Sequence, residues 1–137
     1  IIMALPNGAG GYQLGDGNLS EVVMGCEPAP ATATDTATLT AAQVLNGIIL
    51  STPTAAAAFT LPTVADLEAV ISSAKTGSTF DFSVVNLASN SSYDITMTTN
   101  TGWTITGGGV MVVQEASSGL FRARKTGAGT WKLYRLA

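Results

Sequence analysis

The chain has 137 residues, of which 11% are charged, and its formal net charge is −3. This length suits one domain that can bury a core of its own. The charged fraction is under half of the roughly 25% of an average protein. This suits a β protein whose surface is covered by hydroxyl side chains, and it also suits a subunit with much of its surface in contacts. The acidic balance argues against nucleic-acid binding through a general basic field. No apolar run approaches the roughly 20 residues of a membrane span, so no membrane association is predicted.

The residue types that most enzymes need are scarce. There is no histidine, and Cys26 is the only cysteine, so a nucleophile would lack its usual base. The nine carboxylates are scattered along the chain, and none falls in a ligand or acid–base motif. The sequence therefore predicts a protein that is not an enzyme, with no catalytic, cofactor-binding or metal-binding residues. The single cysteine and the lack of a signal-peptide core predict synthesis in the cytoplasm.

Residues 1–35 are predicted to form an extended N-terminal arm. Glycines interrupt its first part, and the piece from Cys26 to Thr34 has no hydrophobic periodicity. Its apolar residues are too few to build a core, and we interpret them as contacts to a neighbouring subunit or a partner protein. These residues are Tyr12, Leu14, Leu19, Val22, Val23 and Met24. The alternative is a plain terminus with one short strand.

The compact domain is predicted to span residues 36–137 and to begin with short elements. Residues 36–40 are expected as a strand, followed by one helical turn over residues 41–45. Residues 48–51 contain enough β-branched side chains for a buried strand, and residues 57–61 are expected to be extended.

One helix is predicted between residues 63 and 75. Thr63 is a good N-cap, and Asp66 lies where a carboxylate meets the positive end of the helix dipole. Gly77 can supply a left-handed stop after the helix. One face carries apolar residues at helical spacing, namely Val64, Leu67, Val70, Ile71 and Ala74.

Strands at short, regular intervals are predicted after the helix. They cover residues 79–86, 93–98, 103–106, 110–114, 120–125 and 131–135. Turn signals that recur about every 8–12 residues are typical of an antiparallel sandwich or barrel. A parallel α/β fold would need a helix after each strand. The predicted fold is therefore mainly β, an antiparallel β-sandwich with one short helix and an extended N-terminal arm.

Aromatic and basic residues cluster toward the end of the chain. We interpret Trp103, Trp131 and Tyr134 as core or subunit contacts, with a sugar-stacking platform as the alternative. Five of the six basic residues lie between Arg122 and Arg135. On strands they would alternate with core residues, so we interpret them as a solvated or interface face.

Two segments and the chain end resemble one type of tailed-bacteriophage structural protein. The first segment is residues 11–18 (GYQLGDGN), and the second is residues 60–63 (TLPT) with Gly77 and residues 80–86 (FDFSVVN). The chain end is residues 131–135 (WKLYR). There the chain is similar to phage head decoration, or cement, proteins of the β-sandwich, jelly-roll-like kind.

This resemblance implies a homotrimer on the outer capsid surface, bound to several copies of the major capsid protein and stabilising the capsid. It also implies a virion protein that is made in the host bacterial cytoplasm and has no enzyme activity. The alternative is a phage tail-fibre or receptor-binding module, which would also be rich in β-strands and in Thr and Gly. An enzyme would need a pocket with converging carboxylates.

Overall fold

The computed structural model of the protein describes residues 25–107 and 111–137. These residues are mainly β, with ten strands and two short helices. The strands are β1 (Ala31–Thr32), β2 (Ala37–Thr38), β3 (Ile48–Ser51), β4 (Ala57–Thr60), β5 (Thr79–Asn86), β6 (Ile95–Thr98), β7 (Trp103–Ile105), β8 (Val112–Val113), β9 (Ser117–Gly127) and β10 (Thr130–Arg135). The helices are α1 (Ala41–Leu45) and α2 (Val64–Val70).

The strands form two sheets. The six-stranded sheet has the order β1-β3-β5-β9-β10-β7, and the four-stranded sheet has the order β2-β4-β6-β8. From β1 to β6 the chain alternates between the sheets, and each strand from β3 onward pairs in parallel with the strand two places earlier. The first six strands therefore make a two-sheet coil of parallel strands, the arrangement of a β-solenoid.

The strand pairing is mixed, so the predicted antiparallel, jelly-roll-like sandwich is not confirmed. Five of the eight strand pairs in the described residues are parallel, and only β5–β9, β9–β10 and β6–β8 are antiparallel. The prediction assumed that a parallel pair needs a helical crossover. In this fold the chain leaves one sheet, forms a strand of the other sheet and then returns. This detour makes the connection long enough to join two parallel strands.

Both helices begin after a threonine. Thr63 Oγ1 accepts a hydrogen bond from Asp66 N at 3.1 Å, which confirms the predicted cap of α2. At α1, Thr40 and Gln43 form a reciprocal capping box. The helical turn predicted over residues 41–45 is confirmed with these bounds as α1. Because it is a helix in its own right, the prediction of a single helix is wrong.

The helix α2 is shorter than predicted and ends at Val70 rather than at residue 75. Ile71 leaves the helical conformation with φ −113° and ψ 55°, and the chain turns toward β5. Val64 and Leu67 are buried as predicted, whereas the Val70 side chain is 62% exposed. Ile71 and Ala74 are partly buried and pack against the core, so Val70 is the member of the predicted apolar face that is exposed.

The core lies between the two sheets. Phe59 and Met97 enter it from the four-stranded sheet, and Phe82 and Phe121 enter it from the six-stranded sheet. The Phe82 and Phe121 rings are stacked with centroids 5.6 Å apart. One continuous core therefore joins the sheets.

The two tryptophans belong to this core, as interpreted from the sequence. Trp103 and Trp131 are at most 6% exposed, and their ring centroids lie 6.0 Å apart. Trp103 Nε1 donates to Pro62 O at 2.7 Å, so its polar atom is satisfied. Buried rings offer no open face to a sugar, which contradicts the stacking-platform alternative for both tryptophans. Tyr134 is half-buried on the other side of β10.

Strand pairing explains two differences between the predicted and the observed strands. β1 lies within the segment predicted as an arm, and it pairs in parallel with Ile49 and Leu50 of β3. β9 begins at Ser117, where the polar run was predicted as a turn. The pairing of β5 and β9 continues as far as Asn86 opposite Ser117, so the ladder overrides the local turn preference.

Candidate interaction surface

The side of the six-stranded sheet that points away from the core is the candidate functional site, called the outer face below. Side chains alternate between the two sides of a strand. In β5, Phe82 and Val84 are buried, while Asp81, Ser83 and Val85 point outward. The same alternation holds in β3, β9 and β10, so register partners of these outward residues lie on the same face.

Large apolar residues gather at one part of the outer face. Ile48 is the register partner of Ser83, which is the register partner of Leu120. Leu136 lies beside Leu120 and donates its backbone N–H to Leu120 O at 2.8 Å. In the neighbouring row, Leu50 pairs with Val85. An apolar strip thus crosses the sheet from β3 to the end of β10.

Two members of this strip are among the exposed large apolar residues of the described chain. Four large hydrophobic residues of the described chain are exposed, and Val70 of α2 is one of them. The other three are Ile48 at 44%, Leu87 at 54% and Leu136 at 47%. Ile48 and Leu136 belong to the strip, and Leu87 directly follows β5 and continues its outward alternation. Exposed apolar residues that gather on one face mark an interaction site.

Basic residues occupy the neighbouring part of the outer face. Arg124 of β9 is the register partner of Lys132 of β10. Arg122 is two residues before Arg124 on the same strand and is the register partner of Asp81. Arg122 and Asp81 form a two-point ion pair, with Nε–Oδ1 at 2.8 Å and Nη2–Oδ2 at 3.0 Å. This contact lowers the pKa of Asp81 below its ordinary value and raises that of Arg122.

The outer face is positive although the chain is acidic. Three cations and one carboxylate project from its strands, namely Arg122, Arg124, Lys132 and Asp81. The Lys132 ammonium lies 5.6 Å from the centre of the Tyr134 ring, within cation–π distance. The face therefore combines an apolar strip, one aromatic ring and a positive region. These are the components of a protein-binding surface.

The outward side of the four-stranded sheet differs in chemistry. Thr38, Thr60 and Thr98 are register partners on three adjacent parallel strands. The Thr60 and Thr98 hydroxyl oxygens lie 3.0 Å apart and share a hydrogen bond. Small side chains that bond to one another provide no large anchor for a partner, so this side is not chosen as the site.

A groove of about 400 Å³ lies beside α2. Its lining is Thr63, Val64, Ala65, Glu68, Thr101, Gly102 and Gly129, so it carries one ionisable side chain. Glu68 Oε1 already accepts from Lys125 Nζ at 2.6 Å and from Trp131 Nε1 at 3.0 Å. These bonds lower the pKa of Glu68, with Lys125 as the larger cause. A single ionised carboxylate held in this way anchors the helix to the last hairpin and forms no acid–base pair.

The residues predicted from the sequence as partner contacts lie outside the described residues. They are Tyr12, Leu14, Leu19, Val22, Val23 and Met24. The sequence predicted that the basic residues between Arg122 and Arg135 form a solvated or interface face, and Arg122, Arg124 and Lys132 do lie on the outer face. The prediction is wrong for Lys125, which is bonded to Glu68 beside α2, and for Arg135, which lies over the buried Phe121 ring. The apolar strip was missed because its members come from distant strands. The sequence offered one local indication, the alternation of side chains along each strand. Once the core side of a strand is known, alternation predicts that Val85 and Leu120 point outward.

Neither a metal-ligand cluster nor a membrane-spanning helix is found in the described residues, and no known protein matches the chain. Within residues 25–107 and 111–137, no three His, Cys, Asp or Glu side chains are grouped as ligands of a metal ion. In the same ranges no helix has the length and apolar content needed to cross a membrane. Comparison of the chain with protein-family models, curated proteins and solved structures finds no match.

Proposed function

We propose that this protein is a structural binding protein that attaches through the outer face to an assembled protein surface. The observation that carries the proposal is that three of the four exposed large apolar residues of the described chain lie on or beside this one face. Ile48, Leu87 and Leu136 would lose their contact with water in a complex, which favours association. The half-buried Leu50, Val85 and Leu120 would extend the contact.

The surface we propose is the outer side of a phage capsid, where the chain would act as a decoration subunit. The resemblance of the sequence to phage head decoration proteins supports this assignment, and so does the low share of charged residues, 11%. A subunit that binds only the assembled shell stabilises the shell by mass action. A homotrimer would make three contacts at once, so weak single contacts would add up to firm attachment.

The N-terminal residues are proposed as a second contact with the capsid or a neighbouring subunit. Tyr12, Leu14 and Val22 represent the apolar residues of this segment. Deletion of residues 1–24 should weaken attachment while residues 25–137 keep their fold. Equal attachment of the shortened chain would remove the arm from the proposal and leave the outer face as the contact.

The experiment that tests the proposal is immunogold labelling of purified source particles with an antibody to this chain, viewed by electron microscopy. Label spread over the head is the expected result. Label confined to the tail tip would overturn capsid decoration in favour of the tail-fibre or receptor-binding alternative. Particles without label would overturn a virion role altogether.

A pair of surface variants tests the outer face itself. In the Leu87→Ser/Leu136→Ser double variant, affinity for the labelled particle should fall about tenfold or more, because two exposed apolar anchors are removed. Val70→Ser is the matched control, since Val70 is exposed on α2 away from this face. All three substitutions remove exposed side chains, so each should change stability by only about 0.5 kcal/mol. Equal affinity of both variants would place the contact elsewhere on the molecule.

A further inference from the structure

We infer that the outer face recognises an acidic protein surface, and that Arg124 and Lys132 are the residues that contact its carboxylates. This inference rests on the proposed function and specifies the chemistry of the partner. It starts from the position of the two cations. Arg124 and Lys132 are directly opposite each other on adjacent antiparallel strands, where like charges repel and destabilise the sheet.

Neither cation is neutralised within the described chain. The register neighbour of Arg124 on its other side is Thr79, and that of Lys132 is Thr104, both uncharged. Two ion pairs lie on the neighbouring elements, Arg122–Asp81 and Lys125–Glu68. Because Arg122 occupies both oxygens of Asp81, that carboxylate is committed to Arg122. A partner carboxylate placed between Arg124 and Lys132 would remove their repulsion and form charge-assisted hydrogen bonds.

Glu27, a further carboxylate of the described residues, lies away from these two cations. Glu27 lines a groove with Ile48 at the β3 side of the face, three strand spacings from β10, or about 14 Å. That distance exceeds the Debye length of about 8 Å at physiological salt. The cations therefore present a positive region beside the apolar strip, and a complementary partner carries carboxylates beside an apolar patch.

The same charge pattern argues against a second copy of this face as the occupant. A two-fold contact uses the same patch on both copies, so a face with three cations and one carboxylate would meet a second face with the same excess of positive charge. Like-charge contacts of this kind oppose association and suppress the wrong partner. This argues against a two-fold dimer through the outer face, and the occupant we propose is a different protein surface, the exterior of the capsid protein shell.

The test is co-sedimentation of the full-length protein with the source particle, from which the bound chain has first been removed. Arg124→Glu/Lys132→Glu should lower affinity about tenfold or more, because attraction to carboxylates becomes repulsion. Wild-type affinity should also fall as NaCl is raised. Lys75→Glu is the control, a charge reversal at an exposed residue after α2, and should bind as the wild type does. Arg124→Lys/Lys132→Arg should retain binding, since it keeps both positive charges.

Each other outcome is decisive. If the wild type binds and the double reversal binds equally well, the acidic-partner inference is overturned and the proposed function stands. If light scattering shows that the double reversal alters the oligomeric state of the free protein, the face contacts another copy and the inference is again overturned. If the wild type itself fails to bind the particle, the proposed function is overturned together with the inference. Thermal unfolding of every variant checks that the fold is retained.

Discussion

The indole N–H of Trp131 donates to Glu68 Oε1 over 3.0 Å, and this bond joins α2 to the last hairpin. Trp131 is 1% exposed, so its N–H would be costly to leave without an acceptor. Lys125 Nζ lies 2.6 Å from the same oxygen. One carboxylate therefore satisfies a buried donor and a cation, and both partners belong to the hairpin β9–β10.

This arrangement predicts how stability depends on pH. The pKa of folded Glu68 lies below its ordinary value of 4.5, chiefly because of Lys125 and then because of Trp131. A depressed folded pKa gives stability that is fully present above 4.5 and is lost as pH falls through the folded pKa. In Glu68→Gln the amide oxygen still accepts from Trp131, but the charge is gone.

We therefore expect Glu68→Gln to be less stable than the wild type at neutral pH, with the gap closing under acid conditions. Thermal unfolding followed by circular dichroism at several pH values measures this gap. All other carboxylates titrate in both proteins, so their effect cancels in the difference. A gap that stays constant down to acid pH would show that the charge of Glu68 contributes nothing.

A second prediction concerns a buried amide. Asn86 is 1% exposed, and its Nδ2 donates to Tyr93 O at 2.8 Å and to Val113 O at 3.2 Å. Its Oδ1 accepts from Ala88 N at 3.0 Å. Asn86→Ala would remove the side-chain partner of three backbone groups and should cost roughly 2–4 kcal/mol.

Urea denaturation measures that cost for Asn86. The control is Ser83→Ala, which lies on the same strand with its side chain on the outer face. The control should stay within about 0.5 kcal/mol of the wild type. If both substitutions had equal cost, the loss would stem from strand propensity rather than from the buried hydrogen bonds.

Local features of the fold could be predicted from the sequence because their causes are local. The Thr63 cap and the limits of β5 at Thr79 and Asn86 follow from hydrogen-bonding side chains and a period of two. The exposure of Val70 could not be predicted, since it depends on where α2 ends and on what packs beside it.

The outer face shows more clearly which features could not be predicted from the sequence. Ile48, Ser83 and Leu120 become neighbours through strand pairing between segments far apart in sequence. Alternation assigns a residue to one side of its own strand, but it does not say which strand lies next to it. The basic residues near the chain end were predicted as a face because on strands they would alternate with core residues, and this holds for Arg122, Arg124 and Lys132. The apolar strip required the sheet order.

A third prediction separates backbone strain from crowding at two glycines. Gly47 and Gly102 have φ of +101° and +91°, which disfavour any side chain. A Cβ at Gly47 would meet nothing within 4 Å, whereas a Cβ at Gly102 would lie 2.7 Å from Val64 Cβ and 2.8 Å from Gly129 O. Gly47→Ala should therefore cost about 1 kcal/mol, and Gly102→Ala roughly 3 kcal/mol or more.

Denaturant unfolding of the two glycine variants under the same conditions gives the comparison. Because both positions share the unfavourable φ, the difference between the variants isolates the contact with Val64 and Gly129. Equal costs would mean that α2 shifts readily to accept the methyl group, and the close packing of this helix against the β9–β10 turn would then be unimportant for stability.

The last prediction concerns the ion pair on the outer face. Arg122 contacts both oxygens of Asp81, so the pKa of Asp81 should lie below its ordinary value of 3.8 in the wild type. Arg122→Gln removes the hydrogen bonds and the positive charge, which both favour the ionised carboxylate, so the pKa should return upward. Titration of the Asp81 side-chain carbon by nuclear magnetic resonance measures the shift. Arg124→Gln, on the same strand, should leave that pKa nearly unchanged. A comparable rise in both variants would mean that the whole positive face, rather than the paired guanidinium, holds Asp81 ionised, and Arg124 would then be partly committed to Asp81 instead of being open to a partner.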